Sequence, residues 1–178
     1  MMQTFRTEGS YRSADHLSPA ELRAAMASRE ILQSTALAFD TRRQLRFELG
    51  GTKAVMPFAL CAEGAETGSV RDIAVLTRVG RPTCFVIEGL DTDETGQPVY
   101  RLSRAEAQRM CHTEYLDTLH PGDILPCAVT HIEPFGAFCD VGCGISALLP
   151  IDCMSVSRIS SPADRVHVGQ QILCAIKS

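Results

Sequence analysis

The sequence predicts an all-β protein with connecting helices, built from two copies of one small β unit. Three observations carry this expectation. Short runs of alternating apolar and polar residues recur between glycine-containing turns, the period-2 signature of half-buried strands. Capping boxes at Ser18-Pro19-Ala20-Glu21 and Ser103-Arg104-Ala105-Glu106 open a helix ahead of the first unit and another between the two. Setting Pro57 against Pro150 pairs Val55 with Leu148 and Leu49 with Val141, a self-similarity offset by about 93 residues. A length of 178 residues suits one large domain or two small ones, and the repeat selects two.

In chain order, residues 1–17 are polar and aperiodic, so a loosely held arm is expected. Proline at the first helical position then starts a helix from Pro19 to about Ser28, with Leu22, Ala25 and Met26 on one side. Three strands follow: Ile31–Phe39, Gln44–Leu49 and Thr52–Pro57, the last two split by Gly50-Gly51. Two apolar runs, Ile73–Leu76 and Cys84–Ile87, flank a turn at Val79-Gly80-Arg81-Pro82 and read as a hairpin. After a turn over Asp91–Gly96, Val99–Leu102 is the closing strand of this unit. The second helix runs from Ser103 to about Leu119. Ala107, Cys111, Tyr115 and Leu119 recur every four residues, with Met110 and Leu116 beside them, until Pro121-Gly122 stops it. It reads as a spacer with a packed face.

The second unit begins with a strand at Ile124 and continues through V-T-H-I-E-P-F-G-A-F-C-D-V-G, residues 129–142, a hairpin. Alternation puts Ala137, Cys139 and Val141 on the core side, with Phe138 and Asp140 outward. Phe135 counts onto the core side unless Gly136 makes a bulge, a common role for glycine in a strand. With the bulge, both rings share one solvent face on which unpaired bases can stack. Without it, one ring fills the core and the other is an ordinary exposed aromatic. Gly142-Cys143-Gly144 is a tight turn, Ile145–Ile151 a third strand, Ser155–Asp164 irregular, and Gln171–Lys177 a fourth strand.

These residues carry a family resemblance. G-D-I-L-P-C-A-V-T-H-I-E-P-F-G-A-F-C-D-V-G, then G-I-S-A-L-L-P-I, S-R-I-S-S-P-A-D and V-G-Q-Q-I, resemble the S1 RNA-binding domain over residues 120–178. That domain is the five-stranded oligonucleotide-binding (OB-fold) barrel repeated in bacterial ribosomal protein S1. The resemblance implies two tandem barrels, the first over residues 29–102 and divergent, the second over 121–178, joined by a linker helix at 103–120 behind an arm and short helix at 1–28. It also implies that the hairpin at 73–87 is extra, since the family has one strand there. The family's RNA face bears two aromatics, matched by Phe135 and Phe138, and a histidine at the end of strand three, where this chain has Pro150. An acid and an arginine near strand five complete that face. The chain reaches Ser178 just after strand four, so a fragment, or closure of the open edge by another segment, is expected. His131 and Arg158 lie near the presumed face. The first repeat has Arg43 and Arg46 where the second has its aromatics. Those cations read as a solvated strand face, a phosphate contact or a protein-docking face.

Bulk properties narrow the function. A net charge of −4 argues against duplex binding, which uses a basic face, but leaves single-strand binding open, where stacking supplies part of the affinity. Residues 121–178 hold only Arg158, Arg165 and Lys177 against Asp123, Glu133, Asp140, Asp152 and Asp164. Eight cysteines never form a C-x-x-C pair, so reduced core thiols are expected and no metal or other cofactor. No run approaches the ~18 apolar residues of a membrane helix, and a cytoplasmic protein is expected. Phosphate-cradling loops and nucleophile elbows are missing, which points away from catalysis. The expected function is non-catalytic binding of single-stranded RNA through Phe135, Phe138, His131, Arg158, Arg43 and Arg46, with the small ribosomal subunit as a further partner and no small-molecule substrate. The alternative is a protein-docking module centred on the first repeat.

Overall fold

The computed structural model describes residues 4–178. Helix α1 (Pro19–Ser28) has the complete capping box: Ser18 Oγ accepts from the Glu21 N–H, and Glu21 Oε2 accepts from the Ser18 N–H at 2.7 Å. The chain then bends through β1 (Leu32–Thr35) and β2 (Ala38–Phe39), followed by β3 (Gln44–Leu49) and β4 (Thr52–Pro57). Helix α2 (Asp72–Leu76), β5 (Pro82–Thr92) and β6 (Pro98–Ser103) complete the N-terminal unit. Its sheet order is β1-β5-β6-β4-β3-β2, with β4 and β6 parallel and the other pairs antiparallel. Because β1 and β2 are two halves of one bent strand, pairing to β5 at one end and β3 at the other closes the sheet into a barrel.

Alternation fills that barrel. Leu45, Phe47 and Leu49 of β3 point inward against Met56, Phe85 and Leu102, with Phe47 and Phe85 edge to face at 5.8 Å. Leu22 and Ala25 of α1 close one end. The extra hairpin is not formed, because residues 72–76 are helical. Four apolar residues are too few to distinguish a strand from one helical turn. Here only Val75 is buried, while Ile73 and Leu76 face solvent.

Helix α3 (Arg104–Glu114) is shorter than expected and ends in a 3₁₀ turn, Leu116–Thr118. Ser103 caps it, but Glu106 turns away from the box to bind Arg109 and Arg29. The C-terminal unit comprises β7 (Ile124–Glu133), β8 (Gly136–Asp140), β9 (Ser146–Pro150) and β10 (Gln171–Ala175), in the order β10-β7-β8-β9. Its strands reproduce the bent β1/β2 strand, β3, β4 and β5 of the N-terminal barrel. Gln44 pairs with Pro57 as Gly136 pairs with Pro150, and Arg46 with Val55 as Phe138 with Leu148, so the internal repeat is structural. The position held by β6 in the first unit has no strand here among the described residues, leaving a curled half-barrel. Leu125, Cys127, Val129, Ala137 and Cys139 form its core.

The N-terminal arm is packed, not loose. The Glu8 side chain is buried, and its carboxylate accepts two hydrogen bonds from the Arg104 guanidinium, at 2.9 and 2.6 Å, and one from the Cys84 N–H at 2.9 Å. The Glu8 N–H donates to Asp140 Oδ2 at 2.7 Å, and the Cys143 N–H to the Arg6 carbonyl at 2.8 Å. Asp140, expected outward, therefore points away from its own core yet is 97% shielded beneath the arm, with 3% exposure. Its other oxygen accepts from the N–H groups of Gly142 and Gly144. Tyr11, Cys84, Met110, Cys111 and Cys143 form an apolar cluster joining arm, first barrel, α3 and second sheet. The spacer helix is thus part of a fixed joint between the units. Cys61, Cys84, Cys111, Cys127, Cys139 and Cys143 are buried free thiols, Cys174 is half-buried and Cys153 exposed. None of the described helices is long and apolar enough to cross a membrane.

Candidate nucleic-acid interface

The two halves of the β7–β8 hairpin bring three rings onto one face. A register shift between Val129 and His131 places His131 directly across from Phe138. The two rings stack 26° from parallel with centroids 6.2 Å apart. Phe135 stands perpendicular to Phe138 at 6.1 Å. It is 53% exposed, and Phe138 is half-buried.

The bulge lies in β7, not at Gly136, where one of the two sequence readings put it. Phe135 escapes the core side because it sits in the Pro134-Phe135 turn, where strand alternation no longer holds. Gly136 serves a different need. A Cβ there would overlap the Leu149 carbonyl oxygen and crowd Pro150, so only glycine lets β9 pass beneath the turn. The Ile151 N–H donates to the Phe135 carbonyl at 2.9 Å and holds that turn down. Pro150 therefore supports the turn, and the third ring of the row comes from His131 on the neighbouring strand. His131 Nε2 lies 2.6 Å from Glu133 Oε1, which anchors the imidazole over Phe138.

The remaining expected site residues lie elsewhere. Arg158 is exposed in the irregular stretch between β9 and β10, with no ion pair among the described residues. Arg43 and Arg46 occupy the register positions of Phe135 and Phe138 in the first unit, far along the chain from them. Both are already paired: Arg43 with Asp72 at 2.6 Å while lying over the Phe58 ring, and Arg46 with Asp40 at 3.1 Å. The repeat has exchanged rings for neutralised cations.

Two residues that sequence reasoning passed over adjoin the row. Arg78 and Arg81, from the segment after α2, line a cleft of about 810 Å³ together with His131 and Phe138. Glu8, Arg104 and Asp140 also line it. Burial alone would raise the Glu8 carboxyl, but the charge and hydrogen bonds of Arg104, together with Arg78, hold it below the usual range. Burial pushes Asp140 up to about 6, against the three N–H donors that favour its charged form.

OB-type sheets bind oligonucleotides or oligosaccharides on this face, and an aromatic row suits stacking of unpaired bases. Residues 118–177 match the family model of the S1 RNA binding domain, so the resemblance read in the sequence holds over the C-terminal unit. Beyond that unit, the chain is similar to proteins named small ribosomal subunit protein bS1. It is 29% identical over 152 residues to the one from Pseudomonas aeruginosa, covering 85% of this chain and 26% of that protein. It is 27% identical over 129 residues to the one from Staphylococcus haemolyticus, covering 72% and 31%. The Staphylococcus saprophyticus protein is 35% identical over 65 residues, covering 36% and 16%. The chain thus spans less than a third of the length of these relatives.

Proposed function

We propose that this protein binds single-stranded RNA without catalysing a reaction on it, as two tandem OB-type barrels (residues 29–102 and 121–178) behind an arm and helix (1–28) and joined by a linker (103–120). The observation that carries the reading is the His131–Phe138–Phe135 row on an exposed sheet face of a unit matching the S1 family. Unpaired bases offer π-faces to such a row, and each stack is worth about 1–3 kcal/mol. Because any base can stack, sequence preference is expected to be low. Arg158 supplies a free cation nearby in sequence. Similarity to the bS1 proteins supports a cytoplasmic role on the small ribosomal subunit in translation.

The test is a fluorescence-anisotropy titration of a short unpaired pyrimidine RNA. Loss of two rings in Phe135→Ala/Phe138→Ala should weaken binding at least about tenfold at both low and high salt, from the stacking energy of two bases. Equal binding by the variant would overturn the reading.

A further inference from the structure

We propose that the RNA site is shared between the two units: a strand stacked on Phe138 runs into the inter-unit cleft, where Arg81, backed by Arg78, holds its phosphate. The proposal rests on the stacking reading above and deepens it by assigning the phosphate contact.

Three observations converge. First, the aromatic row is not isolated on its sheet, because His131 and Phe138 line the same cleft as Arg78 and Arg81 of the first unit. A base on Phe138 places its phosphate at the cleft mouth. Second, the cleft has one positive charge in excess. Arg78, Arg81 and Arg104 line it against the carboxylates of Glu8 and Asp140. Glu8 is taken up by two Arg104 bonds and the Cys84 N–H, so Arg78 reaches it only at 3.3 Å; Arg78 Nη2 also donates to the Pro82 carbonyl, and its buried Nε has no hydrogen-bond partner among the described residues. Arg81 is exposed and makes no ion pair among the described residues. Third, the three basic residues of the C-terminal unit, Arg158, Arg165 and Lys177, do not line the cleft. Within the cleft, the cations that face a strand on the row come from across the joint. The buried Glu8–Arg104 pair and the Tyr11–Cys143 contact at 3.1 Å hold that joint in place.

Arg81 is the residue to change. Its backbone, not its side chain, makes the turn bonds to Arg78 and Ala36, so substitution leaves the fold intact. The experiment measures affinity for a short pyrimidine RNA across a salt series in the wild type, Arg81→Ala, Arg81→Glu and Phe135→Ala/Phe138→Ala. Removing one phosphate contact should lower the slope of log K against log salt by about 0.7. Arg81→Ala should therefore bind more weakly at low salt and converge on the wild type at high salt, with Arg81→Glu weaker still. The double phenylalanine variant should lose affinity at every salt concentration with its slope kept. If the arginine variants match the wild type in affinity and slope while the phenylalanine variant is impaired, the shared site is wrong and the stacking reading stands. If the phenylalanine variant is unimpaired, or the wild type fails to bind, both fall.

Discussion

The joint between the units depends on one buried carboxylate, and its removal should have a large and pH-dependent effect. In Glu8→Gln the side chain keeps its shape but loses the charge facing Arg104 and Arg78. Those side chains are only 9% and 17% exposed. Breaking a buried ion pair on one side costs about 3–5 kcal/mol, because the partner charge stays buried without compensation. For a chain of this length about 2–4 °C of melting temperature is lost per kcal/mol, so a drop of roughly 6–20 °C is expected. The pH dependence gives the sharper test. The Glu8 carboxyl is held below its ordinary value of 4.5 in the fold, so its contribution is complete above that value and is lost as pH falls through the lower folded value. Thermal or urea unfolding of both proteins at neutral and acidic pH should show the gap at pH 7 shrinking in acid. A gap below about 1 kcal/mol at pH 7, the range of exposed pairs, would refute the buried-pair account. So would a gap that persists unchanged in acid.

Two further outcomes follow from the site. Arg43→Ala/Arg46→Ala should leave the salt slope of RNA binding unchanged and alter stability by less than about 1 kcal/mol, since both arginine side chains are exposed and already paired, with Asp72 and Asp40. A clear loss of slope would return the phosphate role to the first barrel. Gly136→Ala should destabilise by about 1–3 kcal/mol through overlap with the Leu149 carbonyl, and should weaken RNA binding by displacing the Phe135 turn. Unfolding and anisotropy measurements on the same sample check both effects, and an unperturbed variant would show that the close approach under the turn is not needed.

Local signals account for what was legible in the sequence. Alternation and flanking glycines placed β3 and β4 at their observed ends, and the capping box with proline placed α1. The repeat was readable because equivalent core positions recur in order. What escaped reading depends on partners remote in sequence. Glu8 lies 96 residues from Arg104, and its N–H reaches Asp140 over 132 residues, so neither burial leaves a periodic trace in the arm or in β8. Phe135 was ambiguous because a parity count cannot tell a strand residue from a turn residue. Three arginines at 71, 78 and 81 with only Asp72 among them were a visible signal of a basic segment. That Arg78 and Arg81 share a cleft with the rings of the other unit became visible only through the packing of the joint.

The central claim is that bases stack on the Phe138 face, and a single fluorophore reports it directly. The sequence contains no tryptophan, so Phe138→Trp creates the protein's only indole. Stacking of bases on that ring should quench its emission saturably as unpaired pyrimidine RNA is added, with a midpoint matching the anisotropy titration and little quenching by duplex RNA of equal length. Emission that stays constant while anisotropy reports binding would place the RNA elsewhere on the protein and contradict the account.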